Sequence, residues 1–420
     1  MQGITLAIGL FGAALALFLR PAYALGTLFA CVVWYPDYLR VQLGTLDISV
    51  GRIVVTVLLL RCLLNDSLRS RFRWSRLDKV VGFSVVVSTV MFCATRDFVP
   101  ALENRGGFLM DAWFTYMCAR LILTDRRAVT TFIKIVAIIL APLALWGMME
   151  AVTHWQPFFQ LTKYRTWRPM VSEGDIVGET RKWGLTRAIG PFSHFIQFGA
   201  CFALFLPLVW ALRRERGAWR TLAYPFSGML ILGAFSSMSS GSWAMLLIVL
   251  FCMALERYKE WTKTVIWSFV AFCIFAEFWS KRHFYSVLYG RMNFAGGDFY
   301  QRVRLIDAAI DNFDEWWLAG YGGRDPGWGS KEGGYFWAAF TDANNEFIKA
   351  GIEFGMLGVL ALVAIFVVAF QGLVRAHRQT QDNGLRSLYW SLGCCLVGVL
   401  VLWQGVSSFG QNTMLFYCML

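Results

Sequence analysis

Charge is what this sequence has least of: 16% of its 420 residues are Asp, Glu, Lys or Arg, where a soluble chain carries about 25%. Acidic residues are the scarcer sign, 27 against 39 basic, and there are four histidines. Several catalytic signatures are missing. Neither GxxxxGK[ST] nor GxGxxG occurs, and HExxH and GxSxG are absent as well, which leaves an ATP-driven pump, a protein kinase, a dinucleotide enzyme and a zinc protease unsupported. No CxxC pair or Cys/His cluster is present; the ten cysteines, from Cys31 to Cys418, all sit in apolar stretches. They are expected to pack as small hydrophobes, with no metal, no cofactor and no disulfide framework implied.

What the chain has instead is apolar length. Hydrophobic residues make up 57% of it, the mean hydropathy is +0.52, and these residues come in blocks. A helix needs about 20 largely apolar residues to cross a bilayer core, and spanning backbone must satisfy its own hydrogen bonds. The blocks fall at 3–19, 22–36, 47–64, 79–95, 106–124, 129–151, 191–212, 221–236, 241–256, 262–280, 352–374 and 386–408. The expected fold is therefore all-α, a polytopic bundle of about twelve spans. The first block follows Met-Gln-Gly with no basic flank and no cleavage pattern, and reads as a retained helix.

The net charge of +12 would raise nucleic acid in a soluble protein; here it implies none, because the basic residues cluster between spans. Arg69, Arg71, Arg73 and Arg76 follow the third block, Arg126 and Arg127 the fifth, Arg213, Arg214, Arg216 and Arg220 the seventh, Arg257, Lys259 and Lys263 the ninth, and Arg375, Arg378 and Arg386 the eleventh. Cytoplasmic loops carry this excess, and the loops alternate. They predict a bacterial inner-membrane protein in which 152–190 and 281–351 lie outside the cytoplasm. The chain divides accordingly into helices over 1–151, an outer loop at 152–190, helices over 191–280, a large outer loop at 281–351, and helices over 352–420. The side of the N-terminus follows from whether residues 3–36 cross once or twice.

The first outer loop interleaves Trp155, Tyr164, Trp167 and Trp183 with Lys163, Arg165, Arg168 and Arg187. That composition suits a segment lying among lipid headgroups, or a lid over a lipid-linked substrate. The second is about seventy residues long and rich in aromatics, so it is not disordered by composition. Phe299, Val303, Ile306, Ile310 and Phe313 predict an amphipathic helix over roughly 298–315 with Arg302 on the opposite face. A glycine-rich stretch follows, then a helix expected to start near Thr341–Asp342 with Asp342 as its N-cap.

These segments carry a resemblance. Arg302-Val-Arg-Leu-Ile-Asp-Ala-Ala-Ile, followed by Trp317-Leu-Ala-Gly320-Tyr-Gly322, resembles the arginine, short helix and Pro-Leu-x-Gly-x-Gly of bacterial O-antigen ligases and O-antigen and exopolysaccharide polymerases. Thr341-Asp342-Ala-Asn344-Asn345-Glu346-Phe347 resembles the polar motif heading the family's next span. Arg187-Ala-Ile-Gly190-Pro-Phe192-Ser-His194 is similar to its upstream arginine segment, and Ser239-Ser240-Gly241-Ser242-Trp243 to its Ser-Arg-Gly-x-Trp. The resemblance covers roughly 180–375. Trp317 replaces the motif proline, Ser240 its arginine, and Asn344 the histidine that ligases place before Asn345. The aspartate preceding the asparagine is similar to the polymerase branch.

The resemblance implies a metal- and nucleotide-independent glycosyltransferase working on the periplasmic face. Its donor would be a polyprenyl-diphosphate-linked glycan, its acceptor another glycan or lipid A-core, its neighbours membrane lipids, a flippase and a chain-length regulator. Arginine binds phosphate oxygens as a planar, permanently charged fork, so Arg187, Arg302 and Arg304 are the candidates for the diphosphate. Asp342, Asn345 and Arg302 are the candidate catalytic set, with His194, Asn344, Glu346 and Asp111 secondary. His194 has the convenient pKa, and Asp111 is a carboxylate inside an apolar block. Two rivals stay open at this point. One is a ligase of the same fold, moving a finished glycan to lipid A-core or protein. The other is a transporter or flippase, against which stand the absence of a repeat between halves and of a glycine- or proline-broken span pair.

Overall fold

The computed structural model describes residues 1–165, 182–280, 283–291, 299–328 and 343–420. A helix occupies each apolar block. We number them α1 (Gln2–Phe18), α2 (Pro21–Trp34), α3 (Val50–Leu64), α4 (Arg76–Thr95), α5 (Phe98–Leu109), α6 (Thr115–Ile122), α7 (Arg126–Thr153), α8 (Phe195–Ala211), α9 (Trp219–Ser236), α10 (Ser240–Leu255) and α11 (Trp261–Trp279). Two outer helices follow, α12 (Phe284–Arg291) and α13 (Phe299–Asp311), then α14 (Glu346–Gln379), α15 (Asn383–Gly405) and α16 (Gln411–Met419). Six of them, α4, α7, α8, α11, α14 and α15, are long and apolar enough to cross a membrane. Helices α1, α2 and α10 are shorter but apolar. The strands found among the described residues are a small antiparallel hairpin, Val41–Leu43 with Leu46–Ile48, turning at Gly44 with φ +65°.

Polar residues set the helix starts. Ser49, Ser75, Asp125, His194, Asn345 and Asp382 each accept a backbone N–H of the following first turn, satisfying donors that have no partner inside the helix. Ser75 and Asp78 form a reciprocal capping box. Pro142, Pro207 and Pro225 lie within α7, α8 and α9 without interrupting them. The fifth apolar block belongs to a longer rod: α5 and α6 are joined by a π-helical turn, Met110–Phe114.

Helix α8 is the axis of the bundle. Nearly all of its residues are buried, and it packs against α7, α9, α10 and α15. Helix α11 is its opposite, an apolar helix with Ala276 as its buried residue.

The bundle has two distinct ends. At one, Arg126 pairs with Glu215 and Asp382, Arg213 with Glu256, and Arg120 with Asp78. This end gathers the arginine-rich loops. At the other, Tyr38 donates to the Phe158 carbonyl, Gln156 to that of Arg187, Gln197 to that of Phe409, and Asn345 to that of Gln404. The long loops and the candidate site residues meet there.

Candidate functional site

The glycine-rich motif is a backbone latch. Helix α14 is broken at Gly355, whose φ is +71°. The chain after α13 lies in the break: Met356 N–H donates to the Trp317 carbonyl at 2.8 Å, and Tyr321 N–H to that of Ile352 at 2.5 Å. A Cβ on Gly320 would meet Ile352 O at 2.5 Å, and one on Gly355 would meet Leu318 O at 2.6 Å. Two backbones approach here at a distance only glycine permits. Arg96, after α4, holds the next turn by donating to the carbonyls of Gly322 and Gly323 at 2.5 and 2.6 Å. The glycines therefore fix the outer loop to the bundle.

That fixture aims Arg302. Its guanidinium lies 3.2 Å from where a Cβ on Gly405 would stand, so the glycine at the end of α15 makes room for it. This corrects the predicted helix face. Leu305, Ala308 and Ala309 are the buried residues of α13, while Ile310 and Phe313 are exposed. Arg302 shares the inward side with Leu305 and Ala309. Of the apolar stripe, Val303 and Ile306 are half-buried and Ile310 and Phe313 exposed, because apolar side chains can cover the outside of a membrane protein as readily as its core. The predicted helix over 298–315 is α13 followed by a single turn, Phe313–Trp316.

Asn345 stands beside Arg302. Its Oδ1 caps α14 by accepting from Phe347 and Ile348 N–H, and its Nδ2 donates to the Gln404 carbonyl at 3.0 Å. The N-cap is thus Asn345, where the sequence reading placed it at Asp342; Thr341 and Asp342 lie outside the described residues. Tyr289 on α12 donates to the same Gln404 carbonyl at 2.5 Å. Burial pushes its phenol up from its usual value, while Arg302 and Asn345 pull it the other way. Asn344 and Arg304 are half-buried.

Residues 404–411, between α15 and α16, connect this cluster to the second arginine. Glu346 accepts from Ser408 N–H at 2.5 Å, and Lys349 donates to the Ser408 carbonyl at 3.1 Å. His194 packs its ring on Phe195 and near Phe409, and its Nδ1 caps α8 by accepting from Ile196 N–H at 3.0 Å. Arg187 lies 4.1 Å over the Phe195 ring, with its Nε buried and unanswered by an acceptor. Its segment is anchored by Glu150, a fully buried carboxylate accepting from Ile189 and Gly190 N–H and from the Trp146 indole.

Asp111 is placed differently from its candidate role. It forms a two-pronged pair with Arg52, at 2.9 and 2.6 Å. The pair borders a small cleft that Tyr35, Asp37, Arg40 and Gln411 also line. Neither Asp37 oxygen meets a hydrogen-bond donor in good geometry, although Ser193 is near. Burial pushes the Asp37 carboxyl above its ordinary value; Arg40 opposes the shift.

Tyr289, Gln404, Ser408, Glu150, Asp37, Arg52 and Arg96 were not among the residues the sequence singled out. Glu150, Arg52 and Gln404 carried a usable signal, a polar group within an apolar block. Asp37 and Arg96 carried none, since they lie where polar loop residues are ordinary, and Ser408 is a small residue at the very end of a block. Among the described residues no group of His, Cys, Asp and Glu could hold a metal. No family model and no curated protein matches this chain.

Proposed function

We propose that this protein is a membrane glycosyltransferase that polymerises polyprenyl-diphosphate-linked oligosaccharide repeat units into a surface or exopolysaccharide, outside the cytoplasm of a bacterial cell. The observation that carries the reading is the inward position of Arg302, set against Gly405 beside Asn345 and Tyr289. The motif resemblance of the surrounding segments supports it. A diphosphate leaving group is already activated, so what the protein must supply is fixed positive charge where negative charge develops. Arg302 supplies it, with Arg187 as a second fork on the same end. Asn345 and Tyr289, both donating to the Gln404 carbonyl, hold the strap beside Gly405 on which Arg302 lies, and Asp342 is the base for the attacking hydroxyl. The bond from the anomeric carbon to the diphosphate oxygen breaks as the acceptor oxygen bonds to that carbon. The hydroxyl proton goes to the base, and polyprenyl diphosphate leaves. In this reading the helices make about twelve crossings of the inner membrane, with the arginine-rich end inside.

Product analysis tests it. Purified protein in liposomes receives lipid-diphosphate-linked repeats alone, then with lipid A-core. A ladder from repeats alone, with released polyprenyl diphosphate, is the expected result. Product only with the second acceptor means a ligase, and transfer of intact lipid-linked glycan across the bilayer without new linkages means a flippase.

A further inference from the structure

Among the described residues, the arginine-rich end contains a group of basic side chains with no carboxylate in ion-pair contact. Lys259, just beyond α10, points its Nζ at His377 Nε2 on α14, 3.4 Å away. Both surround Trp390 of α15: the Lys259 ammonium lies 5.8 Å from its ring centre and the His377 ring 6.2 Å. Arg386, one turn before Trp390, also acts electrostatically on His377, and its Nε is buried without an acceptor. Glu256 is the acid that acts on this group, and it is already held by Arg213 at 2.5 Å. Arg386 sits in the first turn of α15, whose N-cap carboxylate, Asp382, is taken up by two backbone N–H groups and by Arg126. Two cations and an imidazole from three chain segments thus gather around Trp390. Elsewhere at this end Arg126 is met by two carboxylates.

A phosphate group satisfies such a cluster: it offers several acceptor oxygens to an ammonium, an imidazole N–H and the edge of a guanidinium at once. The surroundings choose its source. Lys259 is two residues before α11, the apolar helix whose surface is almost wholly uncovered, with Trp267, Phe275 and Phe278 exposed. Across from the cluster, Phe251 of α10 and Val367 and Val374 of α14 are exposed as well. Apolar surface running away from a cationic cluster at the end of a bundle is the shape of an acyl chain below its headgroup. We propose that Lys259, His377 and Arg386 bind the phosphate of an anionic phospholipid at the arginine-rich end, with its acyl chains against α10, α14 and α11. This site is separate from the proposed reaction and does not depend on it.

The test is native mass spectrometry of the full-length protein released from vesicles of phosphatidylglycerol and phosphatidylcholine. Wild-type protein is expected to retain phosphatidylglycerol in preference. Each basic group near a headgroup contributes about fivefold in binding, so the Lys259→Gln/Arg386→Gln protein should lose roughly 25-fold in retention. Arg71→Gln/Arg214→Gln removes two charges at the same end outside the cluster and should leave retention near wild type. His377→Gln, tested alone, should show an intermediate loss and provides a reading if the double variant fails to fold. Equal retention by the cluster variants, or an equal loss in the Arg71/Arg214 control, overturns the site. Displacement of the lipid by millimolar inorganic phosphate overturns the lipid as the source.

Discussion

The two ends of this bundle hold their arginines in different ways. At the loop-poor end, Arg126, Arg213 and Arg120 are tied to carboxylates on neighbouring segments. These ties join α7 to the loops before α9 and α15, and α6 to α4. At the loop-bearing end, Arg187 lies on an aromatic ring with a buried Nε left unanswered, and Arg302 lies against a backbone glycine. An arginine closed by a carboxylate spends its charge on architecture. Arg187, by contrast, keeps a buried N–H for an acceptor that the protein itself does not supply. The rule cuts across location: Arg52 is at the loop-bearing end, yet Asp111 closes it.

Substitutions can break or sharpen this contrast. The largest expected loss of stability comes from the closed pair at the loop-bearing end. Arg52 and Asp111 are each 16% exposed, and removing one partner of a buried pair costs about 3–5 kcal/mol. Asp111→Ala should therefore lower the thermal midpoint of the purified protein strongly, and a small shift would make the pair dispensable. Arg302→Ala should do the reverse: an unchanged midpoint, with polymer formation down about 100-fold or more, as when a donor to a developing charge is removed (about 3–4 kcal/mol). Loss of fold instead would make Arg302 an architectural residue like Arg126.

Gly355→Ala strains the latch, because its φ is +71° and its Cβ would meet Leu318 O at 2.6 Å. A left-handed non-glycine residue costs about 1–3 kcal/mol. The loop should detach before the bundle melts, seen as protease cleavage near 318–323 at temperatures where wild type resists. Cleavage at the same rate in both proteins would remove the latch. A fourth effect is a pH slope. The Asp37 carboxyl is raised in the folded state by burial, so its contribution to stability is present below the ordinary carboxylate range and lost as pH rises through the folded value. Asp37→Asn should remove that decline from the melting profile, and an identical slope would assign it elsewhere. Smallest of all, Arg69→Ala breaks a pair exposed at 66% and 86% and should change stability by no more than about 0.5 kcal/mol.

The sequence by itself determined that this is a helical bundle with apolar faces and two unlike ends. Blocks near twenty residues and basic loops at alternate turns state this locally: a helix closes its own hydrogen bonds, and about twenty apolar residues suffice to cross a bilayer. The residues of the site were named in part. Arg187, Arg302, Asn345, His194 and Glu346 do collect at one end, which motif order could suggest but not establish. What only the tertiary structure decided was which way each one faces. The face of α13 was misread because an apolar stripe has two apolar destinations in such a protein. The partner of Asp111 was hidden because Arg52 is 59 residues away in sequence. The strap at 404–411 reads as the tail of a span, and became the meeting point of both arginine segments through contacts far along the chain, such as Asn345 with Gln404, 59 positions apart, and Gln197 with Phe409, 212 apart. Such contacts depend on how helices pack, and packing leaves no periodicity in the chain.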